Sequence, residues 1–324
     1  MKVLVTGCCG FIGFHLCKKL FDIKKIRVFG IDNLNNYYDV NLKKNRLEIL
    51  KKNKNFKFYK IDISDEKKLK RNFKINKYEY IIHLAAQAGV RYSILNPKQY
   101  FYSNFFGFFN ILEASRNNKN TKHLIFASTS SVYGNNQKFP LKESYETSKP
   151  LTFYAASKKS NEVMAHSYSN IYKLPATALR FFTVYGPYGR PDMALFKFTK
   201  SIVKEKKLEL FNSGNHYRDF TYVDDIVEAI VKLIPKPSKK SIPFEIYNLG
   251  SSKPIFLKKY LKIIESQLSK KAKIINKNLQ IGDVKKTHAS TQKFQKQIGK
   301  IRVTKISEGI SSFIQWYQTY YKKK

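Results

Sequence analysis

Tyr154 and Lys158, in Tyr154-Ala155-Ala156-Ser157-Lys158, are the residues best suited to proton chemistry. Four apart on a helix, a phenol and an ammonium share one face with Cβ atoms about 5–6 Å apart. A free phenol ionises near pH ~10, so acting as a base near neutrality needs a shift of about three units, or roughly 4 kcal/mol. One cation about 4 Å away at an effective dielectric of about 20 supplies that much, which makes Lys158 the expected tuner of Tyr154. Such a pair arises easily by chance in a chain with 22 Tyr and abundant Lys. Its weight comes from Ser128-Thr129-Ser130-Ser131-Val132-Tyr133-Gly134, a hydroxyl cluster that follows the apolar run Leu124–Ala127. That order puts the hydroxyls at the carboxyl edge of a strand, where α/β enzymes place their sites.

A second constellation opens the chain. Val3-Leu4-Val5-Thr6 leads into Gly7-Cys8-Cys9-Gly10-Phe11-Ile12-Gly13 and an apolar-periodic stretch. A strand ending in a glycine turn that starts a helix aims unpaired N–H groups and the positive end of the helix dipole at a pyrophosphate. Gly7 permits the tight turn, Gly10 the close approach of phosphate, and Gly13 the packing of helix on strand. The next apolar run ends in Asp32, placed to accept hydrogen bonds from the adenosine ribose; a carboxylate there repels a 2′-phosphate and favours NAD over NADP. Asp62-Ile63, closing the third run, suits the adenine edge.

These residues require a particular scaffold. Val3–Thr6, Arg27–Asp32, Phe56–Ile61, Tyr80–Leu84, Leu124–Ser128 and Ala176–Phe181 read as short buried strands. Between them, Gly13–Phe21, Tyr100–Asn117 and Ala155–Tyr172 have helical periodicity. Alternation of this kind implies an α/β fold, a doubly wound, Rossmann-like parallel sheet. After Gly186-Pro187-Tyr188-Gly189-Arg190-Pro191 the elements become shorter and more polar. The expected division is a cofactor domain of 1–184 plus 219–254 and a smaller mixed substrate lobe of 185–218 plus 255–324. Val223–Ile234 and Ile246–Leu249 return to the first domain as a helix and a strand, and the lysines after Tyr321 read as a frayed end.

With 324 residues, 43% of them hydrophobic, the chain has material for a substantial core. Its formal charge of +38 invites a nucleic-acid reading. Only nine of the 61 basic residues are Arg, however, and the lysines are dispersed along the chain. Solvated surface is the expectation, with no nucleic-acid partner. Cys8, Cys9 and Cys17 support no disulfide framework and point to a reducing cytoplasm, Cys8 and Cys9 being read as small residues filling the loop. No signal peptide or membrane span is expected. His83, His123, His166 and His216 lack partners at metal-ligand spacing, so no metal is expected.

Gly7–Gly13, Asp32, His83-Leu84-Ala85-Ala86, Asn104, Ser128–Gly134, Tyr154 with Lys158, and Arg180–Pro187 together resemble the extended short-chain dehydrogenase/reductases, the NAD-dependent epimerase/dehydratase group. Gly30–Asp39, Gln87–Ser93 and Gly189–Ala194 make the pattern most similar to the nucleotide-sugar epimerases that act on UDP-glucuronate. The resemblance implies bound NAD, recycled within each turnover, with Asn33, Leu84, Ala85, Ala86, Asn104 and Phe181 joining the residues above in its site. It implies that Tyr154 takes the proton of the sugar 4-hydroxyl, Thr129 hydrogen-bonds that oxygen, and Lys158 anchors the ribose. Ser130, Ser131 and Thr183 would receive the sugar carboxylate; Arg91, Arg190, Arg218 and Asp283 would contact the rest of the UDP-sugar. A homodimer through the helices around Tyr100–Asn117 and Ala155–Tyr172 is implied too, as is a place in polysaccharide precursor synthesis. The chain departs from the pattern at Ile281, where Pro is usual, and at Ser290, where Asp is usual. The competing substrates are UDP-glucose and UDP-N-acetylhexosamines; a nucleic-acid-binding protein on a dinucleotide fold is the remoter alternative.

Overall fold

The computed structural model describes residues 1–322; the last two lysines lie outside the described residues, and the terminal helix runs to Lys322. The short β-branched and aromatic runs become strands: β1 (Lys2–Thr6), β2 (Arg27–Asp32), β3 (Phe56–Lys60), β4 (Tyr80–His83), β5 (His123–Thr129), β6 (Ala176–Phe181), β7 (Thr183–Tyr185), β8 (Lys207–Phe211), β9 (Tyr217–Arg218), β10 (Phe220–Tyr222), β11 (Phe244–Leu249), β12 (Ile255–Phe256) and β13 (Lys273–Lys277). The helices are α1 (Phe11–Phe21), α2 (Val40–Lys51), α3 (Glu66–Asn76), α4 (Tyr92–Leu95), α5 (Pro97–Tyr100), α6 (Gly107–Arg116), α7 (Phe153–Tyr172), α8 (Ala194–Val203), α9 (Val223–Leu233), α10 (Leu257–Leu268), α11 (Gln292–Gln297) and α12 (Ile306–Lys322).

Seven strands form one sheet in the order β11-β6-β5-β4-β1-β2-β3, every pair parallel. Parallel strands need crossovers and both faces covered. Leu16, Leu20, Leu47, Leu50, Ile226 and Ile230 of α1, α2 and α9 bury one face; Leu69, Phe73, Phe108, Ile111 and Ala165 of α3, α6 and α7 bury the other. β1 lies between β2 and β4, so the winding reverses there and opens a crevice at the carboxyl ends of the strands.

A third core lies apart from the sheet, where Phe196, Phe198, Leu208, Leu210, Tyr260, Phe313 and Tyr317 from α8, β8, α10 and α12 converge. Phe220 and Tyr260 stack within it at 4.0 Å. Phe294 of α11 instead packs edge-on against Tyr247 of β11, within the core of the main sheet.

One expected helix is interrupted. Tyr100–Asn117 reads as a continuous helix, yet Phe101–Phe106 is a turn of π-helix between α5 and α6. Asn104 explains the detour: its side chain bonds Gln87 and Ser157, and its carbonyl accepts the Asn161 amide at 2.7 Å. Tertiary hydrogen bonds offset the poorer helical geometry. No helix among the described residues is long and apolar enough to cross a membrane.

Candidate active site

A cavity of about 1210 Å³ follows the crevice from the β1–α1 turn to the third core. Gly7 has φ +72°, and a Cβ there would lie 2.7 Å from the Ala85 nitrogen; a Cβ on Gly13 would run into the Gly7 carbonyl. Both positions therefore exclude a side chain, which lets the loop lie flat on the turn after β4. Thr6 reinforces that contact by accepting the Ala85 N–H at 3.2 Å while it pairs with His83 at 2.8 Å. Gly10 ends the approach to α1 with no capping side chain, and Phe11, Ile12 and Gly13 line the cavity, leaving first-turn N–H groups for an anion.

Asp32, at the end of β2, accepts the N–H groups of Cys9 (3.0 Å) and Leu34 (2.8 Å). Burial raises its pKa, while those N–H groups and the nearby Lys43 and Arg46 cations pull it back. Asn33 donates to Asp62 at 2.7 Å, tying the two expected adenosine residues together. With Ile63, Leu84, Ala85, Ala86 and Phe181 they line the same end of the cavity. A cradle that a single Cβ would fill, a helix start without a cap and a carboxylate beyond it fit a dinucleotide.

Midway along the cavity, Thr152 caps α7, its hydroxyl accepting the Ala155 N–H at 3.3 Å. α7 presents Tyr154 and Lys158 opposite the end of β5, where Thr129, Ser130 and Ser131 line the wall with Thr183. The electrostatics differ from the expectation. Burial pushes the Lys158 ammonium down to about 7, and it exerts no resolved pull on the phenol. Burial also raises Tyr154, opposed first by Arg190 and then by hydrogen bonding to Thr129. Four-residue spacing brings two Cβ atoms together, but it does not keep an ammonium charged in a site that strips its water. Arg190 is thus a cation that lowers Tyr154, with its partner Asp192 opposing in part.

Arg190 is itself held by Asp192 (Nε to Oδ1, 3.0 Å), and Asp192 accepts the Tyr37 hydroxyl at 3.1 Å. Toward the mouth, Arg91 and Asp283 meet each other at 3.0 Å, with the Arg91 guanidinium 4.5 Å over the Phe211 ring. Arg218 makes no ion pair with Asp219; it donates to the carbonyls of Tyr217 (3.1 Å) and Lys285 (3.2 Å). Burial draws its pKa down to about 10, with Asp283 opposing. Asp219 is occupied by the N–H groups of Ser251, Ser252 and Ala289.

One expected contact is corrected. Asn104 is buried behind the wall and does not line the cavity, because Gln87 and Ser157 take up its side chain. It positions the loop after β4 against α7. The remaining expected site residues all line the cavity. Sequence reasoning missed Tyr37 and Asp192 as a pair, since they meet across 155 positions. It also missed the buried ion pair of Glu162 with Arg180, two bonds of 2.8 Å, in which Glu162 accepts the Ser128 hydroxyl at 2.7 Å. Opposite charges on α7 and β6 at the same depth were the only signal available.

Fold and cavity together define a dinucleotide-dependent enzyme of the doubly wound α/β class. Residues 3–250 match the NAD dependent epimerase/dehydratase family, and the chain belongs to it. Protein CapI of Staphylococcus aureus is 48% identical over the full length of both chains. A probable UDP-glucuronate 4-epimerase of Rhizobium meliloti is 41% identical, covering 100% of this chain and 98% of the relative. The crystal structure of the Bacillus cereus UDP-glucuronic acid 4-epimerase in complex with UDP-glucuronic acid and NAD superposes with a TM-score of 0.93, at 32% identity, over 99% of this chain and 100% of that one.

Proposed function

We propose that the chain interconverts UDP-glucuronate and UDP-galacturonate by transient oxidation at the sugar C4. The observation that carries the substrate choice is the wall of hydroxyls, Thr129, Ser130, Ser131 and Thr183, which itself holds no carboxylate; the one acidic neighbour of Arg190, Asp192, is neutralised by its pairing with that guanidinium. Hydroxyls donate hydrogen bonds to a C5 carboxylate that an acidic residue in their place would repel. The name of the R. meliloti relative and the ligand held by the B. cereus structure support the same sugar.

When bound, NAD would supply a reversible hydride acceptor for the sugar C4. Gly7, Gly10, Phe11, Ile12 and Gly13 would hold its diphosphate, Asp32 and Asn33 its adenosine ribose, and Asp62 and Ile63 the adenine. Leu84, Ala85, Ala86 and Phe181 enclose the remainder. Lys158 would donate to the nicotinamide ribose hydroxyls, and as a cation there it would lower the phenol, adding to Arg190. Tyr154 takes the proton from the 4-hydroxyl while Thr129 orients that oxygen, and it gives the proton back after the 4-keto sugar turns over. A carboxylate β to a 4-keto group is prone to leave as carbon dioxide; Ser130, Ser131 and Thr183 hold it in the ring plane and so limit overlap with the breaking bond. Arg218 grips the diphosphate, and Arg91 with Asp283 closes the uridine end.

The sheet of 1–184 plus 219–254 serves as the cofactor domain and 185–218 plus 255–324 as the nucleotide-sugar lobe, except that α11 of that stretch packs on the cofactor domain through Phe294 and Ile298. Phe101, Tyr102, Phe109, Val163 and Ile171 leave an exposed apolar stripe along the π turn, α6 and α7, which supports a homodimer. Three free thiols suit a cytoplasmic enzyme, and the product suits polysaccharide precursor synthesis. Incubation of the purified protein with UDP-glucuronate, UDP-glucose and UDP-N-acetylglucosamine, with products resolved by chromatography, tests the reading. Conversion of UDP-glucuronate alone is expected; conversion of UDP-glucose without UDP-glucuronate overturns it.

A further inference from the structure

Beneath the phosphate loop lie side chains of the kind that hold metal ions. Cys8, Cys9 and Asp32 offer two sulfurs and a carboxylate oxygen that all lie within 4.8 Å of one another. The two sulfurs are 3.8 Å apart. With Zn–S bonds of about 2.3 Å, sulfurs at that separation subtend about 110° at a shared ion, close to the tetrahedral angle. The Cys8 sulfur and the Asp32 carboxylate are already held in place. Cys8 Sγ rests on Gly30 of β2, where a Cβ would come within 2.6 Å of it. The Cys9 N–H donates to Asp32 at 3.0 Å, and Leu34 holds the other carboxylate oxygen at 2.8 Å. No other partner uses the thiols, which are free, buried and in contact with each other.

Charge also fits. Two thiolates and a carboxylate around a divalent ion leave one negative charge, and the Lys43 and Arg46 cations both act on Asp32. The only exposed part of the cluster is Asp32, at 8%, and it faces the cavity. We propose that Cys8, Cys9 and Asp32 form a site for a thiophilic divalent cation, Zn2+ or Cd2+, that is antagonistic to NAD. Each thiol loses its proton to solvent as its sulfur bonds the ion, so no oxidant or reductant takes part. Antagonism follows from a shared carboxylate, since Asp32 cannot serve the ion and the adenosine ribose together, and from a shared entrance. The antagonism rests on the reading of Asp32 given above; the metal site does not.

Titration of the purified protein with cadmium chloride tests this. Ultraviolet thiolate-to-cadmium absorption reports the site, released protons are counted in weak buffer, and NAD is measured in the ultrafiltrate. Expected are saturation at about one equivalent, about two protons per cadmium, NAD released in step, and at least about a tenfold weaker response in excess NAD. Loss of the band in Cys8→Ser/Cys9→Ser supports the site; should that variant not fold, Cys8→Ala and Cys9→Ala singly should each weaken binding at least about tenfold. No band, or a band unchanged in a folded variant, overturns the site. A band with NAD fully retained overturns the antagonism. Turnover of UDP-glucuronate in metal-free buffer reports separately on the function, so the two failures are distinguishable.

Discussion

Glu162→Gln should destabilise the protein far more than its small change in shape suggests. Glu162 and Arg180 are each 2% exposed and joined by two bonds of 2.8 Å, with the Ser128 hydroxyl on the same carboxylate at 2.7 Å. The Gln retains volume and a bond to Ser128, but it leaves the Arg180 charge buried without a counter-ion. Breaking a buried pair in this way costs about 3–5 kcal/mol. At about 2.1 cal/mol/K per residue the chain unfolds with an entropy near 0.7 kcal/mol/K, so the melting temperature should fall by about 4–7 °C. Scanning calorimetry or dye-monitored melting reads that shift. Glu162→Leu with Arg180→Met removes both charges and should recover melting to within about 2 °C, since apolar replacements of buried pairs are often neutral or better. Turnover measured well below melting should stay depressed in the double variant, because Ser128 adjoins Thr129 and Arg180 leads into Thr183. A single variant that melts within about 1 °C of the parent refutes the buried-charge argument; a double variant that regains full turnover refutes the positioning role.

Three further outcomes follow. Tyr154→Phe should lower turnover by about 10²–10⁴-fold while NAD, measured after denaturation, remains bound, as expected when a proton-transfer group is removed without disturbing the cofactor site. Thr183→Asn should reduce kcat/KM for UDP-glucuronate relative to UDP-glucose, and an unchanged ratio counts against the carboxylate wall. His123 is buried between Ile234 (3.1 Å) and Thr177 (2.8 Å), and burial lowers its pKa to about 4. The unfolded chain therefore binds a proton that the native state refuses between pH ~6.5 and about 4, so stability is full above that window and falls by up to about 3 kcal/mol through it. Denaturant unfolding against pH should show the slope, and His123→Gln should make it shallower, the remainder coming from His83 and His216, which burial also lowers.

Periodicity located the strands of the sheet almost to the residue because each is a short apolar run bounded by turn residues, a signal local to the chain. Glycine spacing likewise revealed the phosphate loop, since no other residue fits beside Ala85 and the Gly7 carbonyl. The π turn stayed hidden because the bonds that impose it come from Gln87, Ser157 and Asn161, distant in sequence. The burial of Lys158 was invisible for a related reason: spacing reports distance to Tyr154, whereas the loss of water that lowers the ammonium to about 7 belongs to the assembled cavity. Arg91 and Asp283 were both recognisable as site residues, yet their pairing across 192 positions appears only in three dimensions.

In the proposed reaction hydrogen leaves C4 and returns to the same carbon inside a closed site. UDP-glucuronate deuterated at C4 and incubated with the protein in ordinary water tests this directly by mass spectrometry and NMR of the product. Retention of deuterium at C4 of UDP-galacturonate is the predicted result. Loss of the label to solvent, or conversion proceeding after NAD has been stripped and not restored, would contradict it.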